Sequence, residues 1–166
     1  KEQFVEALLQ LKKLASGNDE KAAKANYLLG NFYYNTSLHG YFRNLHFYEG
    51  GNYNLSYIYG YNTIPNTIKK PYNYNNGTGT VAANNPQKPY DYFLKAESIS
   101  TNKELKTNAV FQASKCELDL FFAKQDVYYS YGGNYSLLYS TTTRPLFKKL
   151  KVNYSQTAYY QDIISN

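Results

Sequence analysis

The chain has 166 residues, with no tryptophan, no methionine and a single cysteine. One cysteine excludes an internal disulfide framework. It does not set a compartment, because many exported bacterial proteins also lack disulfides. Cys116 stands among Ala113, Leu118 and Leu120 on an expected helix, and no His or Asp lies at a recognised motif spacing from it. That reads as a buried structural thiol, since free cysteine is among the most buried residue types. The two histidines, His39 and His46, are separated by a bend at Gly40. No Cys/His/Asp cluster has zinc-ligand spacing, so neither a metal nor another cofactor is expected. Carboxylates are few, 12 in all. Glu117 and Asp119 are two apart and point to different sides of a helix, so they make no acid–base pair. Gly77-Thr78-Gly79 lacks the following helix and lysine of a phosphate cradle. These absences point away from an enzyme. The longest apolar runs, such as Leu118 to Ala123, are too short to span a bilayer and include Asp119. With no methionine and no leader-like start, the chain is expected to be a processed protein or a piece of a longer one.

What is abundant is tyrosine, at 21 residues, with nine phenylalanines and much asparagine. The mean hydropathy of −0.63 comes largely from Asn, Lys and Tyr. Tyrosine is amphipathic, so that value is compatible with a folded core. The length fits one domain, residues 1–166. The net charge of +6 raises nucleic acid as a ligand. Against it, Lys12-Lys13, Lys69-Lys70 and Lys148-Lys149/Lys151 are scattered along the chain, and only Arg43 and Arg144 carry a guanidinium. Nucleic acid is therefore disfavoured. The same scatter argues against a dedicated membrane-binding helix, although a basic face would rest near an anionic surface.

Periodicity predicts an all-α fold. Phe4, Ala7, Leu8, Leu11 and Leu14/Ala15 give a helical stripe over residues 2–15. Ser16-Gly17-Asn18 stops it, with Gly17 expected in the left-handed position after a helix. Asn18 or Asp19 caps a second helix carrying Ala22, Ala25, Leu28/Leu29, Phe32 and Tyr33. The short connection makes an antiparallel hairpin. Gly30 lies mid-helix, where glycine is unfavourable by about 1 kcal/mol against alanine. Its place in the apolar stripe reads as close approach of another helix. Tyr41–Glu49 has the pattern of a two-turn helix. From Gly50 to Lys88, turn residues and tyrosines replace the period, with Leu55–Tyr59 a short strand or extended chain. A loop that long is usually functional or disordered. Helical pattern returns from Pro89 to Ile99 and, capped by Thr101 or Asn102, over 103–124. Residues 126–143 form a second irregular, tyrosine-rich loop. Pro145 opens a short helix with Leu146, Phe147 and Leu150, and Ser155 caps a last one.

Leu29-Gly30 followed by Tyr33 resembles the first helix of a tetratricopeptide repeat. Phe93 and Ala96, before the polar turn at Asn102, resemble the end of its second helix. Gln112-Ala113 through Cys116 resembles the next first helix, with Ala113 as the counterpart of Gly30. Those two positions are 83 apart, against about 34 for one repeat. The insertion 50–88 accounts for most of the excess. Phe147 through Tyr159 resembles the repeat junction of exported bacterial tetratricopeptide proteins. Asn26 stands at the first Trp position, and the closing Pro is missing near Thr101.

The resemblance implies antiparallel hairpins stacked as a short tetratricopeptide-like α-solenoid with a long Tyr/Asn/Gly-rich insertion. It also implies the C-terminal part of a bacterial cell-envelope protein, periplasmic or outer-membrane-associated rather than cytoplasmic. Repeat stacks present concave binding surfaces, and Tyr and Arg are favoured at interface hot spots. The expected function is a non-catalytic protein–protein scaffold. Its candidate contacts are Tyr33, Tyr34, Tyr41, Arg43, Tyr57, Tyr59, Tyr61, Tyr131 and Tyr135. The alternative is a carbohydrate-binding surface, with tyrosine rings stacked on sugars and asparagine amides bonding hydroxyls. Two or three coplanar exposed tyrosines in one groove would mark it.

Overall fold

The computed structural model describes residues 2–37, 40–41, 86–125 and 144–165. These hold six helices and no strand: α1 Glu2–Ala15, α2 Glu20–Asn35, α3 Gln87–Ile99, α4 Lys103–Gln125, α5 Pro145–Tyr154 and α6 Ala158–Ser165. Apart from Tyr41, the expected helix over 41–49, the stretch Leu55–Tyr59 and the loop 126–143 lie outside the described residues.

Local chemistry sets most helix ends. Asp19 caps α2, its Oδ1 accepting from the Ala22 N–H at 2.8 Å. Asn102 caps α4, accepting from the Glu104 and Leu105 N–H groups at 2.9 and 3.2 Å. Three sequence expectations need correction. Helix α3 starts at Gln87, two residues inside the expected insertion 50–88, so Pro89 falls in its first turn. Thr157, not Ser155, caps α6, its Oγ1 accepting from the Tyr160 N–H at 3.3 Å, while Ser155 ends α5. Gly17 is not left-handed. Its N–H closes a tight turn onto the Leu14 carbonyl at 3.1 Å, and a Cβ there would meet that of Ala22 at 3.3 Å.

Consecutive helices pack antiparallel, and α3 lies at the centre between α2 and α4. Leu29 joins Ala15 and Ala25, with Leu8, Leu11, Tyr33 and Tyr92 around them. Phe93 joins Ala113 and Cys116, and Val110 joins Leu150 and Tyr154. Burying Phe93 or Leu29 contributes roughly 2–3 kcal/mol each. Gly30 lies inside α2 and is buried. A Cβ built on it would stand 2.6 Å from the Phe93 ring, so the missing side chain lets α3 close onto α2.

Helix α1 departs from its predicted burial. Only Ala15 is buried, whereas Phe4 and Leu14 of the expected core stripe are 58% and 48% exposed. The cause is position: α1 packs chiefly on α2, which covers only part of a broad apolar stripe. Its last carbonyls are orphaned by helix geometry. The Ala15 carbonyl accepts from Asn26 Nδ2 at 2.9 Å and from Lys95 Nζ at 2.7 Å, tying the end of α1 to α2 and α3.

The stack therefore has two unlike ends. At one, the connector end, short turns join α1 to α2, α3 to α4 and α5 to α6. At the other, the loop-bearing end, lie the C-termini of α2 and α4 and the N-termini of α3 and α5. These are the four helix ends from which the two tyrosine-rich segments depart.

Candidate interaction surface

At the connector end two glutamates act alike. Glu20, in the first turn of α2, accepts from the Ser100 hydroxyl at 2.6 Å and from the Thr101 N–H at 2.8 Å, just ahead of α4. Glu104, in the first turn of α4, accepts from the N–H groups of Ala158 and Tyr159 at 2.9 and 3.1 Å, at the start of α6. Glu104 satisfies the first two orphan donors of α6 and suits the positive end of its dipole, while Glu20 holds the turn just ahead of α4. The Ser100 and Thr101 bonds hold the Glu20 carboxyl below its ordinary range. Between these clamps, Tyr154 donates to Glu97 Oε1 at 2.7 Å, and Lys149 pairs with the same oxygen at 2.7 Å.

The loop-bearing end collects aromatic rings and amines. Tyr33 stacks on Tyr92, with centroids 5.5 Å apart and planes 13° from parallel. Phe32 meets Tyr33 edge-on at 5.2 Å, and Lys88 Nζ sits 3.8 Å from the Tyr33 centroid. Lys115 Nζ stands 4.7 Å from the Tyr34 ring, and Tyr34 is hydrogen-bonded to Asp119. Burial pushes the Asp119 carboxyl up to about 7, against the pull of Tyr34 and Lys115. Burial also raises Glu117, whose carboxylate accepts weakly from the Leu146 N–H at 3.3 Å. The two carboxylates thus turn to different neighbours, Glu117 to α5 and Asp119 to α2. Arg144 donates to the Ser114 carbonyl at 3.4 Å and lies 4.7 Å from the Phe147 ring.

Of the candidate contacts, Tyr41 is 78% exposed. Tyr33 and Tyr34, expected to be exposed, are half-buried and already packed. Their rings fill the seams between α2 and its neighbours α3 and α4. Arg43, Tyr57, Tyr59, Tyr61, Tyr131 and Tyr135 lie outside the described residues. Lys88 and Lys115 belong to the same surface, and sequence reading passed over both, because the rings they meet, Tyr33 and Tyr34, are on α2.

Cys116 is buried, and burial raises its thiol far above the ordinary range, which suppresses the reactive thiolate. Among the described residues no group of three or more His, Cys, Asp or Glu side chains could hold a metal ion. His39 and His46 lie outside them. No described helix is long and apolar enough to cross a membrane. No family model, curated protein or solved structure matches the chain.

Proposed function

We propose that this chain is a non-catalytic protein–protein interaction scaffold: a short tetratricopeptide-like stack of helix pairs whose tyrosine-rich loops meet the partner. The observation that carries the repeat reading is the pair of glutamate clamps. With Glu20 set on Glu104, five of the six buried positions of α2, Ala23, Ala25, Asn26, Leu29 and Gly30, fall on buried Thr107, Ala109, Val110, Ala113 and Ser114 of α4, while the sixth, Ala22, falls on half-buried Lys106. In that register the counterpart of Gly30 is Ser114, one residue beyond Ala113. Cross-contacts recur as well. Tyr27 of α2 reaches Asn108 of α4, and Phe111 of α4 reaches Tyr159 of α6. A unit that stacks on its own copy repeats such contacts.

The partner reading draws on the loop-bearing end, where exposed Tyr41 follows α2. Carbohydrate binding, the second reading, calls for coplanar exposed rings. The coplanar pair Tyr33–Tyr92 is half-buried with Lys88 over it, which favours protein. By the same resemblance the setting is the bacterial cell envelope, at the periplasm or outer membrane.

The test compares capture of envelope proteins by the chain and by a version whose residues 50–85 are replaced with a short Gly/Ser linker. Recovery of a specific protein is expected to fall at least about tenfold, as for loss of an interface hot spot, with helical circular dichroism retained. Equal recovery would remove the first loop from the interface. Retention of polysaccharide instead of protein would favour the carbohydrate reading.

A further inference from the structure

The lysines that look scattered along the sequence are not scattered in the fold. Lys12 and Lys13 occupy the last turn of α1, and Lys151 the last turn of α5. Lys21 and Lys24 lie in the first two turns of α2, and Lys103 opens α4. All six are exposed. The contacts that tie the helix ends together, Lys95 to Ala15, Glu20 to Thr101 and Glu104 to Ala158, bring them to one end of the stack. None of the six is in an ion pair among the described residues; the Lys149–Glu97 pair is separate from them.

The carboxylates of the connector end are occupied. Asp19 caps α2, Glu20 and Glu104 hold helix N-termini, and Glu97 is bonded to Tyr154 and Lys149. Asp162 stands a turn further along α6. These five carboxylates keep their negative charge, but the six lysines together with Lys95, Lys106 and Lys149 outnumber them and leave this end net positive. Among the described residues the opposite end shows no such bias: Lys88, Lys115, Arg144 and Lys148 are there matched by Glu2, Glu6, Asp91, Glu117 and Asp119.

We propose that the connector end is a docking face for an anionic lipid bilayer, its lysine ammonium groups resting on negatively charged headgroups. This face is built for a diffuse negative surface rather than a patterned strand. Every free cation on it is lysine, a hydrated point charge without the guanidinium fork that reads bases. Among the described residues, the exposed aromatics on which unpaired bases could stack, Phe4, Tyr41 and Phe147, all lie toward the opposite end, at the start of α1, after α2 and at the start of α5. Juxtamembrane lysines each strengthen attachment to an anionic leaflet by a few-fold. Docked this way, the helix ends at Asn35, Gln87, Gln125 and Pro145 face away from the bilayer. The inference concerns the end opposite the proposed partner surface, so either can fail alone.

The experiment is flotation of the 166-residue chain with vesicles of phosphatidylcholine alone or with about one third phosphatidylglycerol. Binding is expected only to the anionic vesicles, and is expected to vanish between about 50 and about 500 mM salt as the screening length shrinks. The variant Lys12→Gln/Lys13→Gln/Lys21→Gln/Lys24→Gln is expected to bind roughly a hundredfold more weakly. A control with equal loss of charge away from the connector end, Lys88→Gln/Lys115→Gln/Arg144→Gln/Lys148→Gln, is expected to lose far less. Equal binding to neutral vesicles, salt-independent binding, equal losses in the two variants, or a single-stranded oligonucleotide that outcompetes anionic vesicles would each overturn the proposal. The salt dependence of the unaltered chain decides the matter even if a variant misfolds.

Discussion

At the scale of single residues, shape complementarity at Gly30 decides how closely two helices approach. Alanine is the better helix former by about 1 kcal/mol, so propensity alone predicts that Gly30→Ala stabilises. The geometry predicts the reverse. The new Cβ would meet the Phe93 ring at 2.6 Å, and Phe93 is fully buried with no room to retreat. Overpacking of this kind typically destabilises by about 1–3 kcal/mol, so a net loss of roughly 1–2 kcal/mol is expected in urea unfolding. Phe93→Leu introduced alongside should recover part of that loss, giving a coupling energy between the two sites. A stabilised Gly30→Ala protein would mean that α2 and α3 can separate freely. The value of Gly30 to packing was legible from its place in the stripe. Its partner was not, because Phe93 lies beyond the insertion.

At the scale of elements, the clamps explain how short helices persist. Helix α6 has eight residues, too few to be stable alone. Its first N–H groups are held by a carboxylate from α4. Glu104→Ala is expected to expose the Ala158 and Tyr159 amides to exchange and to fray α6, leaving the start of α4 protected. Glu20→Ala should do the opposite, exposing the Thr101 amide and sparing α6. Hydrogen exchange read residue by residue distinguishes the two patterns, and a uniform change in both variants would mean that the clamps are not local. The reach of both glutamates was not legible in the sequence, because each bond joins elements more than 50 residues apart in the chain.

At the scale of the whole molecule, buried carboxyl groups shape the dependence of stability on pH. Asp119 titrates at about 7 in the folded chain against an ordinary value of 3.8. Between those values the folded state holds a proton that the unfolded state has released, so stability falls as pH rises through that window and levels off above it. Glu117, also raised, acts in the same direction. Glu20 and Glu97 are lowered, so their contributions are intact above the ordinary glutamate value and are lost as pH falls through the folded ones. The curve should therefore crest near pH 5 and decline toward pH 8 by about 1–3 kcal/mol. Asp119→Asn keeps an acceptor for the Tyr34 hydroxyl and removes the titration. Urea midpoints at pH 5 and pH 8 are expected to draw together in that variant. An unchanged gap would assign the decline to another group.

Sequence alone determined the helical class, the positions of the six described helices to within about two residues, most caps and the buried character of Cys116. Each of these rests on local physics: the 3.6-residue period, side-chain capping and the intrinsic burial of a thiol. The tertiary structure alone decided that α1 keeps much of its stripe exposed and that Tyr33 and Tyr34 are packing residues. It also decided that Glu20 and Glu104 reach across to other helices, and that six lysines from four helices share one end. Those outcomes depend on which helix ends meet. That in turn depends on antiparallel packing around a glycine that admits Phe93, a contact between residues 63 positions apart. Periodicity shows which side of a helix is buried, but it does not say which other helix covers it.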